Sequence, residues 1–241
     1  MQPLTFQAQV TSVTPLNERT RFVVLTLPEA ALFEPGQYLE IAVDETTWLP
    51  YSLACLPGSE QVSLHIQIQP GSSLEAFWQA RLVVGGALSV RLPLGQCTFS
   101  GPDRPLVFVA AGTGFAQMQA LLCAAFAAQW QSPLCLYWGG RQAEDLYAQA
   151  QLAAWQASYA NFDYHLVVEY PDAQWQGRSG TLVDALAVDF TGPQSAVAVE
   201  GFASGSPGMV YAVEDFLMSR GMPARGLNSD VHTYAPRDLN A

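Results

Sequence analysis

Apolar and polar positions alternate along the first hundred residues, with the period of two that half-buried β-strands show. Residues 62–68 show the alternation most clearly, and proline- and glycine-rich turns separate the strand-like segments. The other segments of this kind are 6–13, 21–27, 39–43, 51–55 and 88–92, and one helical segment at 72–82 interrupts them. Short strands between tight turns predict a small antiparallel β-barrel.

The pattern changes after residue 105, where strand-like and helix-like segments begin to alternate. Strands are predicted at 106–111, 134–138, 162–168 and 196–200, helices at 115–130, 143–157, 180–187 and 207–220, and a last short strand near 226–234. This alternation predicts a doubly wound parallel sheet with helices on both faces. Residues 100–105 are interpreted as a linker, so we expect a barrel domain at 1–101 and an α/β domain at 102–241.

Three of the predicted parallel strands end in glycine. Gly112-Thr113-Gly114 follows the first, Gly139-Gly140 the second, and Gly205 with Gly208 the fourth. Glycine lets a ligand approach the backbone closely, and a helix N-terminus favours phosphate. Because the carboxyl ends of parallel strands meet at one edge of a sheet, the pattern predicts a nucleotide-binding crevice there.

Composition excludes several classes of partner. The chain has 241 residues, 50% of them hydrophobic and 13% charged, which is ample apolar material for two cores. The net charge is −11, and all ten basic residues are arginine, so a nucleic-acid or anionic-membrane ligand is not expected. No apolar run approaches the roughly 18 residues of a membrane span, and no signal peptide is recognisable, which makes the cytoplasm the expected location.

The cysteines and histidines form no motif of their own. Cys55, Cys97, Cys123 and Cys135 are scattered without a C-x-x-C pair, so neither an iron–sulfur cluster nor a disulfide framework is expected. No grouping of cysteine, histidine and aspartate suggests a metal site or a nucleophilic triad.

A β-barrel followed by a nucleotide-binding α/β domain resembles the ferredoxin–NADP reductase superfamily, and within it the NAD(P)H:flavin oxidoreductases that lack an iron–sulfur domain. The motifs that carry the resemblance span nearly the whole chain in the family's order: Pro35-Gly36-Gln37-Tyr38, Pro50-Tyr51-Ser52, Gly112-Thr113-Gly114-Phe115, Tyr137-Trp138-Gly139-Gly140-Arg141, Asp145-Leu146-Tyr147 and Gly205-Ser206-Pro207-Gly208-Met209.

The resemblance implies a flavin site around Pro50, Tyr51 and Ser52. Tyr51 is expected to pack along the flavin, and Ser52 to act as the catalytic hydroxyl that hydrogen-bonds near N5 of the isoalloxazine. The alternative is a buried strand whose Tyr and Ser have only structural partners. Leu49 stands where the family has an arginine that contacts the flavin phosphate, so FMN or FAD should be held weakly.

A second flavin motif is expected at Gly71, Ser72 and Ser73, where the resemblance implies contact with a pyrophosphate. The alternative for this segment is an ordinary helix cap. In the C-terminal stretch 229–237, which also resembles the family, His232 could contact the flavin ring or be purely structural.

On the nicotinamide side, the resemblance assigns Gly112-Thr113-Gly114 to the dinucleotide pocket. Arg141 is placed for the ribose or a 2′-phosphate, unless it is a solvated arginine at a helix cap. Ser204-Gly205 replaces the Cys-Gly pair that the family often has beside the nicotinamide, and Ser206-Pro207 is expected to shape the nucleotide groove.

The expected function is therefore that of a flavin-dependent NAD(P)H oxidoreductase, which transfers hydride from NADH or NADPH to FAD or FMN. Its electrons could go to free flavin or to a separate oxygenase or other acceptor protein. A different class also stays open: a non-catalytic nucleotide- or partner-binding protein on a reductase scaffold with a degraded flavin site.

Overall fold

The structure is a computed structural model that describes residues 2–98 and 102–237. The chain divides into two units: unit one is Met1–Thr98 with Gln119–Ala124, and unit two is Phe99–Met118 with Ala125–Ala241. Residues 99–101 are not among the described residues. The predicted domain boundary after residue 101 and the first two residues of the predicted linker therefore lie outside the described part of the chain.

Unit one contains a six-stranded antiparallel sheet in the order β4-β3-β6-β1-β2-β5. The Ala54 N–H donates to the Ser63 carbonyl at 2.8 Å, which joins the chain after β4 to β5 and brings the two edges of the sheet together. The antiparallel sheet predicted for the first hundred residues is thereby confirmed. Its elements are β1 Leu4–Pro15, β2 Thr20–Thr26, β3 Tyr38–Ala42, β4 Trp48–Ser52, β5 Gln61–Gln67, α1 Glu75–Arg81 and β6 Ala87–Leu94.

The core of unit one follows the alternation of the sequence. In β3, Leu39 and Ile41 are fully buried while the residues between and beside them are half-buried. Trp78 of α1 is 2% exposed and packs into the same core. Removing this apolar surface from water stabilises the unit by about 25 cal/mol per Å².

Unit two contains a six-stranded parallel sheet in the order β10-β9-β8-β7-β11-β12, as the alternation of strands and helices predicted. Its strands are β7 Leu106–Ala111, β8 Leu134–Gly140, β9 Phe162–Val168, β10 Arg178–Ser179, β11 Glu200–Ser204 and β12 Leu227–Asn228. Its helices are α3 Gln149–Ser158, α4 Leu182–Asp189, α5 Pro207–Ser219 and α6 Val231–Tyr234. Helix α2, Phe115–Ala127, begins and ends in unit two, and its middle, Gln119–Ala124, belongs to unit one.

Helices cover both faces of this sheet. Tyr137 of β8 faces the cluster formed with α4 and α5. The next residue, Trp138, points to the opposite face because side chains alternate along a strand, and there it stacks on Phe115 of α2. The chain proceeds from β7 through β8, β9 and β10 on one side and returns to β11 on the other. The order therefore reverses between β7 and β11, which is where open α/β sheets bind ligands.

Five elements differ from the sequence-based prediction. The strand expected at 51–55 is β4, Trp48–Ser52, because the Asp44 carboxylate accepts the N–H groups of Thr46 and Thr47 and closes the preceding turn early. The helix expected at 143–157 is wrong in its first half. The Asp145 carboxylate accepts the N–H groups of Arg141 and Gln142, which makes a separate 3₁₀ turn at Ala143–Asp145 before α3.

The strand expected at 196–200 is β11, Glu200–Ser204. The apolar residues before it form turns, and Val197 is 53% exposed. The last strand is only β12, two residues long, and is followed by the short helix α6. Strand β10, also of two residues, was not predicted because it is too short to show a period.

Candidate functional site

The carboxyl ends of β7 and β11 touch backbone to backbone in unit two. A Cβ added to Gly114 would lie 2.2 Å from the Ser204 carbonyl oxygen, and one added to Gly205 would lie 3.0 Å from the Ala111 Cβ. At Gly114 the obstacle is a backbone atom, so only glycine permits the approach, whereas at Gly205 the nearest atom is the flexible Met209 Cε at 2.3 Å. The structure thus brings together two of the predicted segments, Gly112–Gly114 and Ser204–Ser206, which we call the glycine edge.

The glycine edge has an open face at Gly112. This residue has φ +53°, a left-handed conformation that favours glycine, and nothing lies within 4 Å of an added Cβ. Gly112, Thr113 and Gly114 form a 3₁₀ turn that leads directly into α2. A ligand can therefore reach the backbone of this turn without meeting a side chain at Gly112.

Helix α5 begins at the same edge. Pro207 is its first residue, and the Ser206 hydroxyl caps it by accepting the Met209 N–H at 3.3 Å. Nothing lies within 4 Å of an added Cβ on Gly208. The N-terminus of a thirteen-residue helix carries a partial positive charge, so this end of the glycine edge suits a phosphate.

Trp138 supports the glycine edge from behind, and the sequence analysis did not assign it a role. Its indole Nε1 donates to the Gly112 carbonyl at 2.9 Å. Its ring stacks on Phe115 at 4.3 Å between centroids and meets the edge of Tyr147 at 5.0 Å. The only signal in the sequence is its place immediately before Gly139-Gly140.

Gly139 and Gly140 serve packing. A Cβ on Gly139 would lie 3.0 Å from Leu182 Cγ of α4, and one on Gly140 would lie 2.8 Å from the Asp145 Cβ. The next residue, Arg141, is exposed and places its guanidinium 5.8 Å from the centre of the Tyr170 ring. Within the described part of the chain Arg141 makes no ion pair, so its charge is available to an anion.

A polar network lies on the opposite face of the unit-two sheet, around Tyr137. Its hydroxyl donates to Asp189 at 2.6 Å, and Arg178 pairs with both oxygens of that carboxylate. Although partial burial raises the pKa of Asp189, hydrogen bonds from Arg178 and Tyr137 hold it below its usual value. The network ties β8, β10 and α4 together, which makes it a structural element.

In unit one, Tyr51 and Ser52 lie on β4 with their side chains on opposite faces. Tyr51 pairs with Leu39 and faces the core, where its ring meets the Trp78 ring edge-on at 5.5 Å. Burial raises the pKa of Tyr51 above its usual value, so the phenol is neutral. Ser52 is half-buried, and its hydroxyl makes no hydrogen bond to the residues that the structure describes. Pro50, between Leu49 and Tyr51, is exposed.

Leu49 packs partly buried against the core of unit one and offers no hydrogen-bond donor. At the second expected flavin segment, Gly71 has φ +75° and open space around it, but its N–H already donates to Glu75 Oε2 at 2.6 Å. Gln79 holds the other Glu75 oxygen at 3.0 Å. The hydroxyls of Ser72 and Ser73 make no hydrogen bond to described residues, and the seven-residue helix α1 starts only at Glu75. A carboxylate of the chain itself thus lies at this turn.

His232 lies on α6 and faces α5 within unit two. Its Nε2 is 3.3 Å from Glu214 Oε1, and its ring centroid is 5.8 Å from that of Tyr211. Arg237 binds Glu214 as well and Asp215 beside it, which fastens the C-terminal segment to α5. These contacts are structural, and a contact of His232 with flavin stays a prediction.

Three further observations concern residues 2–98 and 102–237 as a whole. The four cysteines are unbridged. No cluster of three or more histidine, cysteine, aspartate or glutamate side chains there is arranged to hold a metal ion. None of the helices described is both long and apolar enough to cross a membrane.

Comparison with known proteins finds relatives whose similarity covers most of this chain. Residues 108–215 match the family model of the oxidoreductase NAD-binding domain. The NAD(P)H-flavin reductase of Vibrio harveyi is 32% identical over 195 residues, which are 78% of this chain and 82% of that protein. The anthranilate 1,2-dioxygenase electron transfer component of Acinetobacter baylyi is 30% identical over 211 residues, 87% of this chain but only 59% of that protein.

A solved structure is similar to this chain over nearly its whole length. The Amycolatopsis cytochrome P450 reductase GcoB superposes with a TM-score of 0.85 at 27% identity, over 95% of this chain and 70% of that one. The similarity includes both the antiparallel sheet of unit one and the parallel sheet of unit two.

Proposed function

The chain belongs to the ferredoxin–NADP reductase superfamily, with the NAD(P)H-flavin reductases among its relatives, and on that premise we propose that it transfers hydride from NADH or NADPH to a flavin. The observation that carries this proposal is the glycine edge. Two strand ends meet there at the point where the strand order reverses, with an open backbone face at Gly112 and the start of α5 beside it. We assign the flavin to unit one and the nicotinamide nucleotide to unit two.

At the ring end, the residues of unit one fit a flavin. The Tyr51 ring is held edge-on by Trp78 and is only partly buried, so the part left exposed would offer an aromatic surface to a planar ring system. The Ser52 hydroxyl has no hydrogen-bond partner among the described residues, so it could donate or accept a hydrogen bond at the flavin nitrogen whose protonation changes on reduction. When bound, the flavin supplies the hydride-accepting chemistry, and the protein contributes alignment and hydrogen bonding.

At the phosphate end, unit one fits a flavin poorly. Leu49 supplies no charge-assisted hydrogen bond, and the Glu75 carboxylate lies where Gly71 would otherwise present its N–H. A phosphate at this turn would meet a negative charge. We therefore propose that FMN and FAD are held weakly and exchange with the solution.

In unit two, the start of α5 and the turn Gly112–Gly114 would receive the pyrophosphate and the nicotinamide end of the nucleotide. Arg141 would receive the adenosine end, since its guanidinium has no ion-pair partner in the described residues and Tyr170 offers a ring beside it. An arginine at this position accommodates a 2′-phosphate as well as a ribose. Both NADH and NADPH are therefore proposed as donors.

Two other functions have an observation in their favour. The similarity to the dioxygenase electron transfer component favours delivery of electrons to a partner oxygenase. Leu49 together with Glu75 favours a non-catalytic binding protein, because both weaken the flavin phosphate site.

The cytoplasm is the proposed compartment. All four cysteines are unbridged, as is usual where thiols stay reduced, and the proposed electron donors are cytoplasmic metabolites.

One experiment separates these functions. The visible spectrum of the purified protein is recorded, and oxidation of NADH and NADPH is then measured with riboflavin, FMN and FAD as acceptors. A colourless protein that oxidises either nucleotide only when flavin is added supports the proposal. Flavin that stays bound with little turnover of free flavin supports the partner oxygenase. Absence of both flavin binding and nucleotide oxidation supports the non-catalytic protein.

A further inference from the structure

The turn that forms the glycine edge needs support, because nothing on its open side fixes it. Gly112 adopts a left-handed conformation with no neighbour within 4 Å of an added Cβ. A free glycine in an open turn samples many backbone conformations, and ordering it on binding would reduce affinity. Whatever holds the turn must act from its buried side.

Trp138 is placed to do this. The Gly112 carbonyl accepts the indole N–H of Trp138 at 2.9 Å and also the backbone N–H of Phe115 at the start of α2. Trp138 is fully buried, so its N–H has no access to water and depends on this partner. The hydrogen bond therefore fixes the Gly112 peptide from the side opposite a ligand.

The indole is itself locked in place. Phe115 stacks on it at 4.3 Å with 20° between the planes, and the Tyr147 ring meets it edge-on at 5.0 Å. Tyr147 follows Asp145, whose carboxylate holds the turn after β8 through the N–H groups of Arg141 and Gln142. The residues around Gly139-Gly140 thus form one scaffold behind the glycine edge.

We propose that Trp138 is a positioning residue for the nicotinamide nucleotide: its indole N–H holds the Gly112 carbonyl and thereby pre-orders the turn that the nucleotide contacts. Trp138 touches no ligand in this account. The inference rests on the proposed function, because it assumes that the glycine edge binds the nucleotide.

The test removes the N–H and keeps an aromatic ring, with Trp138→Phe. Trp130→Phe is the matched control, since the Trp130 indole donates a hydrogen bond of the same kind, 2.8 Å long, to the Arg104 carbonyl away from the glycine edge. A second variant carries 3-benzothienylalanine at position 138, an isostere of tryptophan in which sulfur replaces N–H, so that no cavity is created.

Dissociation constants of NAD⁺ and NADP⁺ are measured by calorimetry, and that of riboflavin by fluorescence quenching. For both position-138 variants we expect about three- to tenfold weaker nucleotide binding, the range that loss of one hydrogen bond gives. KM for the nucleotide should rise by the same factor while kcat changes by less than about twofold. Riboflavin binding, and nucleotide binding by Trp130→Phe, should stay within about twofold of the parent.

Two results overturn the inference. One is parent-like nucleotide affinity in the isosteric variant, and the other is an equal loss in Trp130→Phe, which would indicate a general effect on stability. Failure of the parent protein to bind either nucleotide would instead contradict the proposed function itself, so the two failures are distinguishable.

Discussion

The two candidate binding regions of this protein differ in how completely contacts within the chain fix their backbone and side chains. In unit two the glycine edge is determined by contacts on every buried side: Gly114 against Ser204, Gly205 against Ala111, and the Gly112 carbonyl on Trp138. In unit one, described contacts fix only the part that we expect to hold the flavin ring, where Tyr51 packs against Trp78. In the part that we expect to hold the flavin phosphate, Leu49 carries no charge, and the Glu75 carboxylate accepts the Gly71 N–H.

This difference shows what each region can do. A preorganised backbone site loses little entropy when it binds, so unit two is suited to select a nucleotide. A site that offers an aromatic face and one hydroxyl is suited to a planar ring that comes and goes. We thus distinguish a preorganised nucleotide site from a flavin site that recognises mainly the ring; three of the following predictions test that distinction, and one compares the acid stability of the two units.

The largest effect is expected from Gly114→Ala. The added Cβ would lie 2.2 Å from the Ser204 carbonyl oxygen, a backbone atom that cannot move aside cheaply. Overpacking of this kind costs roughly 1–3 kcal/mol, and we expect kcat/KM for NADPH to fall about a hundredfold. Riboflavin binding should be retained, which fluorescence quenching can measure.

Gly192→Ala is the matched control for this change, since nothing lies within 4 Å of an added Cβ there. It should behave like the parent protein. Nucleotide affinity in Gly114→Ala equal to that of the parent would remove the basis for assigning the nucleotide to the glycine edge.

The next-largest effect concerns stability at acidic pH. We expect unit one to become less stable there because of the buried His65. Burial lowers the pKa of His65 to about 4, and the residue is 6% exposed. Above pH ~6.5 the imidazole is neutral in both states and contributes nothing. As the pH falls from there towards 4, the unfolded chain binds a proton that the folded one does not, so about 3 kcal/mol of stability is lost.

His65→Gln should reduce this loss, which urea unfolding at a series of pH values can measure. The matched control is His165→Gln in unit two. Burial and the nearby Arg178 charge also lower the pKa of His165, but the Asp189 and Asp163 carboxylates oppose that shift, so the control should change the pH dependence less. An unchanged slope in His65→Gln would show that another group titrates.

A medium effect is expected from Ser52→Ala. Its hydroxyl makes no hydrogen bond to described residues, so folding should be unaffected, whereas loss of a hydrogen bond to the flavin should slow flavin reduction about tenfold. Ser12→Ala, which removes another half-buried hydroxyl of unit one, should leave the rate unchanged. Flavin reduction as fast as in the parent, measured by stopped flow, would remove the role assigned to Ser52.

The smallest effect is expected at the phosphate end. Leu49→Arg should tighten FMN binding about fivefold through a charge-assisted hydrogen bond. Riboflavin binding should hardly change. Leu49→Met is the uncharged control, and an equal gain for both flavins would show that position 49 is not near the phosphate.

Much of this organisation was predictable from the sequence. The alternation of apolar and polar residues predicted the antiparallel sheet and the alternation of strand-like and helix-like segments the parallel one, and β7 and β9 were placed with their observed bounds. The glycines after β7 and β11 pointed to the edge where they meet, because parallel strands bring their carboxyl ends together. The family resemblance named Tyr51, Ser52 and Arg141, and their roles stay predictions.

Other features depended on contacts that no local pattern reveals. Trp138 stood out only as part of a family motif, and its role could not be predicted because it depends on the Gly112 carbonyl 26 residues away. No sequence pattern singled out Glu75, and the structure shows that its carboxylate turns back to Gly71. Single carboxylates also explain two other differences. Asp44 closes the turn between β3 and β4 early, and Asp145 holds the 3₁₀ turn after β8.

Hydride transfer itself is the most direct test of the central claim. The protein is mixed anaerobically with riboflavin and with NADH or NADPH, unlabelled or carrying deuterium at C4, and the visible absorbance of the flavin is followed. The account predicts loss of that absorbance, one nucleotide oxidised for each flavin reduced, and a slower rate with deuterium. Reduction no faster than in a protein-free mixture, with both nucleotides, would contradict it.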